Sequence, residues 1–135
     1  MTTEYTILTH KKFDKEFEKL KSECDSLDED FFRLKNTILF DLERGNHRLT
    51  HDRYKQISGL GPKVKFPVFK VKKFRCKSIP KGNRSGFRFI FILSRKHKVI
   101  YFTEVYHKKH NKNRLEDTNR IRRVCSDIEY YFELK

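Results

Sequence analysis

The chain has 135 residues, enough for a single domain over 1–135 that buries a core of its own. Its 32 lysines and arginines against 18 acids leave a net charge of +14, and 13 Phe with 6 Tyr make this a folded basic domain rather than a disordered basic tail. It has no apolar run of about 18 residues, and "MTTEYTILTHKK" lacks the pattern of a secretory leader, so no membrane span is expected and a cytoplasmic location is.

In chain order, "EYTIL" reads as a short strand. Phe13, Phe17 and Leu20 then follow at helical spacing. "SLDEDFFRLKNTILFDLERGN" predicts a second helix: Leu27, Phe31, Leu34, Ile38 and Leu42 share a face. Ser26 with Glu29 has capping-box spacing, and Gly45-Asn46 supplies the stop. "ISGLGPKVKFP" is a loop, "VFKVKKFRCK" a basic strand and "IPKGNRSG" a turn. "FRFIFILS" is apolar on both faces, as a central strand is, and "RKHK" links it to a further strand, "VIYFTEVYH". Ile121, Val124, Cys125 and Ile128 mark a final amphipathic helix, with Arg120, Arg122 and Arg123 elsewhere on its circumference. The expected fold is therefore α+β: a small antiparallel sheet in the order β-α-α-β-β-β-α, with the N-terminal helical hairpin on one face. The other face is expected to be free for basic groups.

Cys24, Cys76 and Cys125 are odd in number and far apart, which suggests buried thiols and neither a disulfide framework nor a zinc site. His107 and His110 have a metal-like spacing, but lysines separate them and no cysteine or acid pair is near, so no metal or other cofactor is expected.

Strand alternation directs Lys73, Arg75 and Lys77 one way and Phe74 and Cys76 the other. Arg88 is a cation beginning an otherwise apolar strand, a costly place unless it meets a partner or solvent. In a meander, the end of "VIYFTEVYH" lies beside the start of "FRFIFIL". Arg88 should then stand near His107, Lys108, Lys109 and His110, and the end of the basic strand should reach the same region. Cations from three strands would converge on one concavity suited to phosphate. Edge protection by lysine and ordinary solvated charge are the bland alternatives for each residue alone.

"KKFRCKSIPKGNRSGFRFIFIL" followed by "VIYFTEVYHKKHNKNRL" resembles the toxins of the RelE/ParE superfamily of type II toxin–antitoxin systems, in their RelE/HigB-like form. The shared pattern is a basic strand, a Gly-containing turn, Gly86-Phe87-Arg88 with Phe91, Tyr106-His107-Lys108, then Asn113 and Leu115. RelE-like members cleave mRNA on the ribosome; ParE-like members inhibit DNA gyrase and cleave nothing. The resemblance implies that Lys73 and Arg75 are the basic strand pair, Arg88 the phosphate-contacting arginine, Lys108 the Y-x-K lysine and Lys109 the neighbouring catalytic cation. The catalytic tyrosine of some members falls at Leu115, which leaves His107 or His110 for that role. Lys70, Lys72, Lys77, Lys81, Arg84 and Lys112 would add contacts to the RNA backbone, and a cognate antitoxin would cover the basic face.

The chemistry fits those residue types. When a 2′-OH attacks the adjacent phosphate, the catalyst must take its proton, stabilise a more negative phosphorane and protonate the leaving 5′-oxygen. Arginine suits the phosphoryl group, and histidine or a lysine crowded by cations suits the proton transfers. No metal is required. The alternatives are a ParE-like gyrase inhibitor and a non-toxic basic module that binds nucleic acid.

Overall fold

The computed structural model describes residues 5–61, 64–79, 85–108, 119 and 121–128. Strand β1 (Thr6–Thr9) leads into α1 (Lys11–Leu20) and α2 (Leu27–Arg44). Four strands follow: β2 (Tyr54–Gln56), β3 (Val68–Val71), β4 (Phe87–Ser94) and β5 (Val99–His107). A last helix, α3, covers 121–128. No helix among the described residues is long and apolar enough to cross a membrane.

The sheet has five strands in the order β1-β5-β4-β3-β2. From β2 to β5 it is an antiparallel meander, but β1 pairs with β5 in parallel, so the sheet is mixed rather than antiparallel. The expected order also lacked β2. That strand is three residues long and only Tyr54 is buried in it, so no hydrophobic period marks it. A polar anchor holds it instead: Tyr54 Oη and Arg53 Nη1 both donate to Asp41 Oδ2 of α2, each at 2.5 Å. Burial, then the Asp41 carboxylate, hold the Tyr54 phenol well above its ordinary pKa.

Two apolar layers sandwich the sheet. Phe13, Phe17 and Leu20 of α1 and Phe31, Leu34, Ile38 and Leu42 of α2 join Phe69, Phe87, Phe89, Phe91, Phe102 and Val105 in the larger cluster. The two helices meet through phenylalanine, with the Phe31 ring 5.3 Å from Phe13 and 5.2 Å from Phe17. On the outer face, Ile121, Val124, Cys125 and Ile128 of α3 join Val68, Ile90, Ile92 and Leu60. The outer face is therefore partly covered by α3, contrary to the expectation that it would be free. Ile90 and Ile92 demand that cover, because exposed β-branched apolar surface on a central strand forfeits its burial energy.

Ser26 is the N-cap of α2, yet its side chain makes no capping bond. Its hydroxyl donates to Asp30 Oδ2 at 2.7 Å instead, so the expected capping box does not form. The stop at Gly45-Asn46 is as expected. Asn46 takes the left-handed conformation (φ 54°). Gly45 is required because a Cβ there would lie 2.2 Å from the Arg48 carbonyl oxygen.

All three cysteines are free and buried, in line with the reading from their spacing. Burial, with Cys24 beside it, pushes the Cys76 thiol up from 9.0 to about 12. The folded state thus holds this proton more tightly than the unfolded chain. The stabilisation is complete below about pH 9 and is lost as pH rises toward 12. In chelator-treated protein at pH 8.5, Cys76 should resist iodoacetamide until the chain is unfolded. Mass spectrometry of the alkylated peptide checks this, and rapid native labelling would contradict it.

Candidate nucleic-acid interface

The outer face carries its cations in register. Lys55 of β2 lies opposite Lys70 of β3, Lys70 opposite Ile90 of β4, and Ile90 opposite Glu104 of β5. One step along, Arg88 lies opposite Tyr106. Arg88, Lys70 and Tyr106 are half-buried, whereas Lys55 is exposed and Glu104 is buried. Arg88 and Tyr106, as direct cross-strand partners, hold their Cβ atoms roughly 4.5–5.5 Å apart. Lysines placed directly opposite one another cost stability.

Arg88 Nη1 donates to the Phe87 carbonyl at 3.1 Å, at the N-terminal end of β4. At that end β5 runs out into Lys108, whose side chain is exposed and whose N–H donates to the Gly86 carbonyl at 2.8 Å. Arg88, on β4, and Lys108, just past the end of β5, thus stand at the same end of the sheet.

A β-bulge decides which residues join them. The pairing shifts between Ile90, opposite Glu104, and Phe91, opposite Phe102, leaving Thr103 as the extra residue. One inserted residue exchanges the faces of all that follow. Before it, Ile100 and Phe102 point to α1 and α2; after it, Val105 does. Tyr106 consequently turns to the outer face, where it packs with the smaller cluster.

His107 is turned the other way, so it does not share a face with Arg88, contrary to the expected convergence. Its ring meets Phe87 edge to face at 4.9 Å, and Nε2 lies 2.9 Å from the Ser85 carbonyl oxygen. Gly86 makes room for it: φ is +90°, and a Cβ there would stand 2.5 Å from His107 Nε2. Gly86→Ala should cost about 1–3 kcal/mol in urea unfolding through backbone strain and the clash. His107→Ala should recover part of that loss in the double variant, and strict additivity would contradict the contact.

Lys73 and Arg75 also stand apart from Arg88. They line a cleft of about 180 Å³ beside α2 with Asp30, Arg33, Leu34, Thr37, Arg53 and Phe74. Lys73 Nζ pairs with Asp52 at 2.5 Å, and that lysine holds the Asp52 carboxyl below its ordinary pKa. The Arg75 carbonyl accepts from Arg33 Nη2 at 3.0 Å. Lys72 is exposed, and Lys77, also exposed, pairs with Glu29 at 3.6 Å. The alternation expected here is kept: Phe74 and Cys76 are buried, and Lys73, Arg75 and Lys77 are exposed. Lys81, Arg84, Lys109, His110 and Lys112 lie outside the described residues.

Among the described residues, Lys55, Lys70 and Arg88 thus belong to the outer face, and Arg33, Arg53, Lys73 and Arg75 to the α2 cleft. Sequence reasoning gave no part to Lys55, Arg33, Arg53 or Glu104. Glu104 and Tyr106 had a detectable signal, an acid and a phenol two residues apart at the end of a buried strand. No protein-family model, curated protein or solved structure matches the chain.

Proposed function

We propose that this chain is the toxin of a type II toxin–antitoxin pair and cleaves messenger RNA on the ribosome, as RelE-like toxins do. The observation that carries the reading is the placement of Arg88. It is a half-buried arginine on a central strand, paired with Tyr106 and flanked on the same face by Lys70 and Lys55. A cation so placed needs an anion, and the surplus of +14 favours a polyanionic one. In this reading α1 and α2 are the toxin's helical hairpin, and the RNA backbone crosses the outer face beyond α3.

Arg88 grips the scissile phosphate and neutralises the phosphorane formed when the 2′-oxygen attacks phosphorus. The bond from phosphorus to the 5′-oxygen breaks, leaving a 2′,3′-cyclic phosphate and a 5′-hydroxyl. Tyr106 and Lys108 divide the two proton transfers: one takes the proton of the attacking 2′-OH and the other gives a proton to the leaving 5′-oxygen. Lys55 and Lys70 hold flanking phosphates. His107 holds the Ser85–Gly86 corner and takes no proton from the RNA. The antitoxin covers the outer face with acidic groups.

The inward turn of His107 favours one second reading, a basic module that binds RNA without cutting it. Inducible expression with transcript mapping separates the readings. The toxin reading expects growth arrest with new 5′ ends inside translated transcripts. Intact transcripts with blocked DNA supercoiling would replace it with a ParE-like inhibitor; intact transcripts with salt-sensitive RNA binding would replace it with the module.

A further inference from the structure

The fold brings together two cysteines that stand 52 positions apart in the chain. Cys24 lies in the turn between α1 and α2, Asp30 in the first turns of α2, and Cys76 in the segment that follows β3. They are 2%, 1% and 1% exposed. The two sulfurs and one Asp30 carboxylate oxygen lie within 4.8 Å of one another. Two hydroxyls border them. Cys24 Sγ is 3.7 Å from Asp30 Oδ2, 3.3 Å from Ser78 Oγ and 3.6 Å from Ser26 Oγ.

The Cys24 separations are hydrogen-bond distances, and they also match the donor–donor edges of one small coordination shell. Around tetrahedral zinc, with bonds of about 2.3 Å to sulfur and 2.0–2.2 Å to oxygen, neighbouring donors stand roughly 3.3–3.8 Å apart. The carboxylate is also oriented from behind. Arg33 Nη2 donates to Oδ1 at 2.9 Å, and the Lys77 N–H reaches Oδ1 at 3.2 Å and Oδ2 at 3.1 Å. Such outer partners fix a ligand's geometry before the ion arrives. The cluster also sits at the N-terminal end of α2, where net negative charge is stabilised.

We propose that Cys24, Cys76 and Asp30, with the Ser78 hydroxyl as fourth donor, form a structural site for a thiophilic divalent cation of the zinc class. On binding, the two thiols release two protons, the carboxylate supplies its existing charge and the hydroxyl stays neutral. The complex then carries one net negative charge, which Arg33 and the helix end face. The ion displaces the Cys24 and Ser26 hydrogens from Asp30 Oδ2. It clamps the segment carrying Arg75 and Lys77 to the α1–α2 turn, away from the outer-face site. Two thiolates select zinc, cadmium or cobalt over magnesium or calcium.

The test uses the full chain, purified with a phosphine reductant and chelator, freed of chelator and titrated with Co²⁺. One Co²⁺ per chain should bind with a sulfur-to-cobalt charge-transfer band that Zn²⁺ removes, and Zn²⁺ but not Mg²⁺ should raise the Tm. Cys24→Ala and Cys76→Ala should each lose the band, while Cys125→Ala, on the opposite face of the sheet, keeps it. Absence of the band in the wild type, or its survival in both alanine variants, overturns the proposal. Circular dichroism before titration shows whether each variant is folded. Should both fail to fold, proton release by the wild type decides. Zn²⁺ added in weakly buffered solution must release about two protons per ion bound, from the two thiols; binding with no proton release, or no binding, overturns the site.

Discussion

Phe89→Ala should destabilise the protein by about 3–5 kcal/mol, the usual cost of emptying a fully buried phenylalanine site. Its ring is wholly buried and lies 4.6 Å from Phe74, 5.3 Å from Phe31, 6.1 Å from Phe13 and 6.3 Å from Phe102. Those rings come from α1, α2, β5 and the segment after β3, so the cavity cannot close by moving one element. Urea unfolding followed by circular dichroism checks it. A loss below about 1 kcal/mol would mean that the phenylalanine layer does not join helices and sheet as described.

Arg88→Ala, one residue away, should leave stability within about 1 kcal/mol, because the side chain is only half-buried on the outer face. RNA cleavage should nevertheless fall by about 10²–10³-fold, the usual loss when a group that stabilises transition-state charge is removed. Arg88→Lys should recover only part of the rate, since a point charge does not reproduce the two parallel bonds of guanidinium to phosphate. Single-turnover rates on messenger RNA bound to the ribosome read the effect. An unchanged rate in Arg88→Ala removes Arg88 from the chemistry.

The contrast between these neighbours shows what the sequence made legible. The faces of α1 and α2 were readable because Phe13, Phe17, Phe31 and Leu34 repeat at helical spacing and meet one continuous layer. The central place of β4 was readable from its apolar residues on both faces. The stripe of α3 was readable too, but not its docking over Ile90 and Ile92, because an amphipathic pattern does not name the surface it covers. The parallel pairing of β1 with β5 is a long-range choice with no local signature.

The site was legible as a composition and not as an arrangement. Unbroken alternation from Ile100 and Phe102 would place His107 on the face of Arg88. The extra residue at Thr103 reverses this, sending His107 inward and Tyr106 outward. No turn residue announces that bulge; Thr103 is simply buried, its hydroxyl 3.4 Å from the Ile90 carbonyl. Lys73 and Arg75 parted from Arg88 for a related reason. Val71 and Phe74 both face α1 and α2, three residues apart, so alternation is interrupted at Lys72-Lys73. The Cys24–Cys76 contact joins loops and follows from neither period.

The most direct test asks where RNA lies on the protein. Single-stranded RNA carrying 4-thiouridine, photocrosslinked to the intact chain and mapped by mass spectrometry, should mark the outer face in β3–β5, with Tyr106 and residues beside Arg88 and Lys70 as the principal adducts. Adducts confined to the cleft of Arg33, Arg53, Lys73 and Arg75, with the β4–β5 end unmarked, would contradict the account.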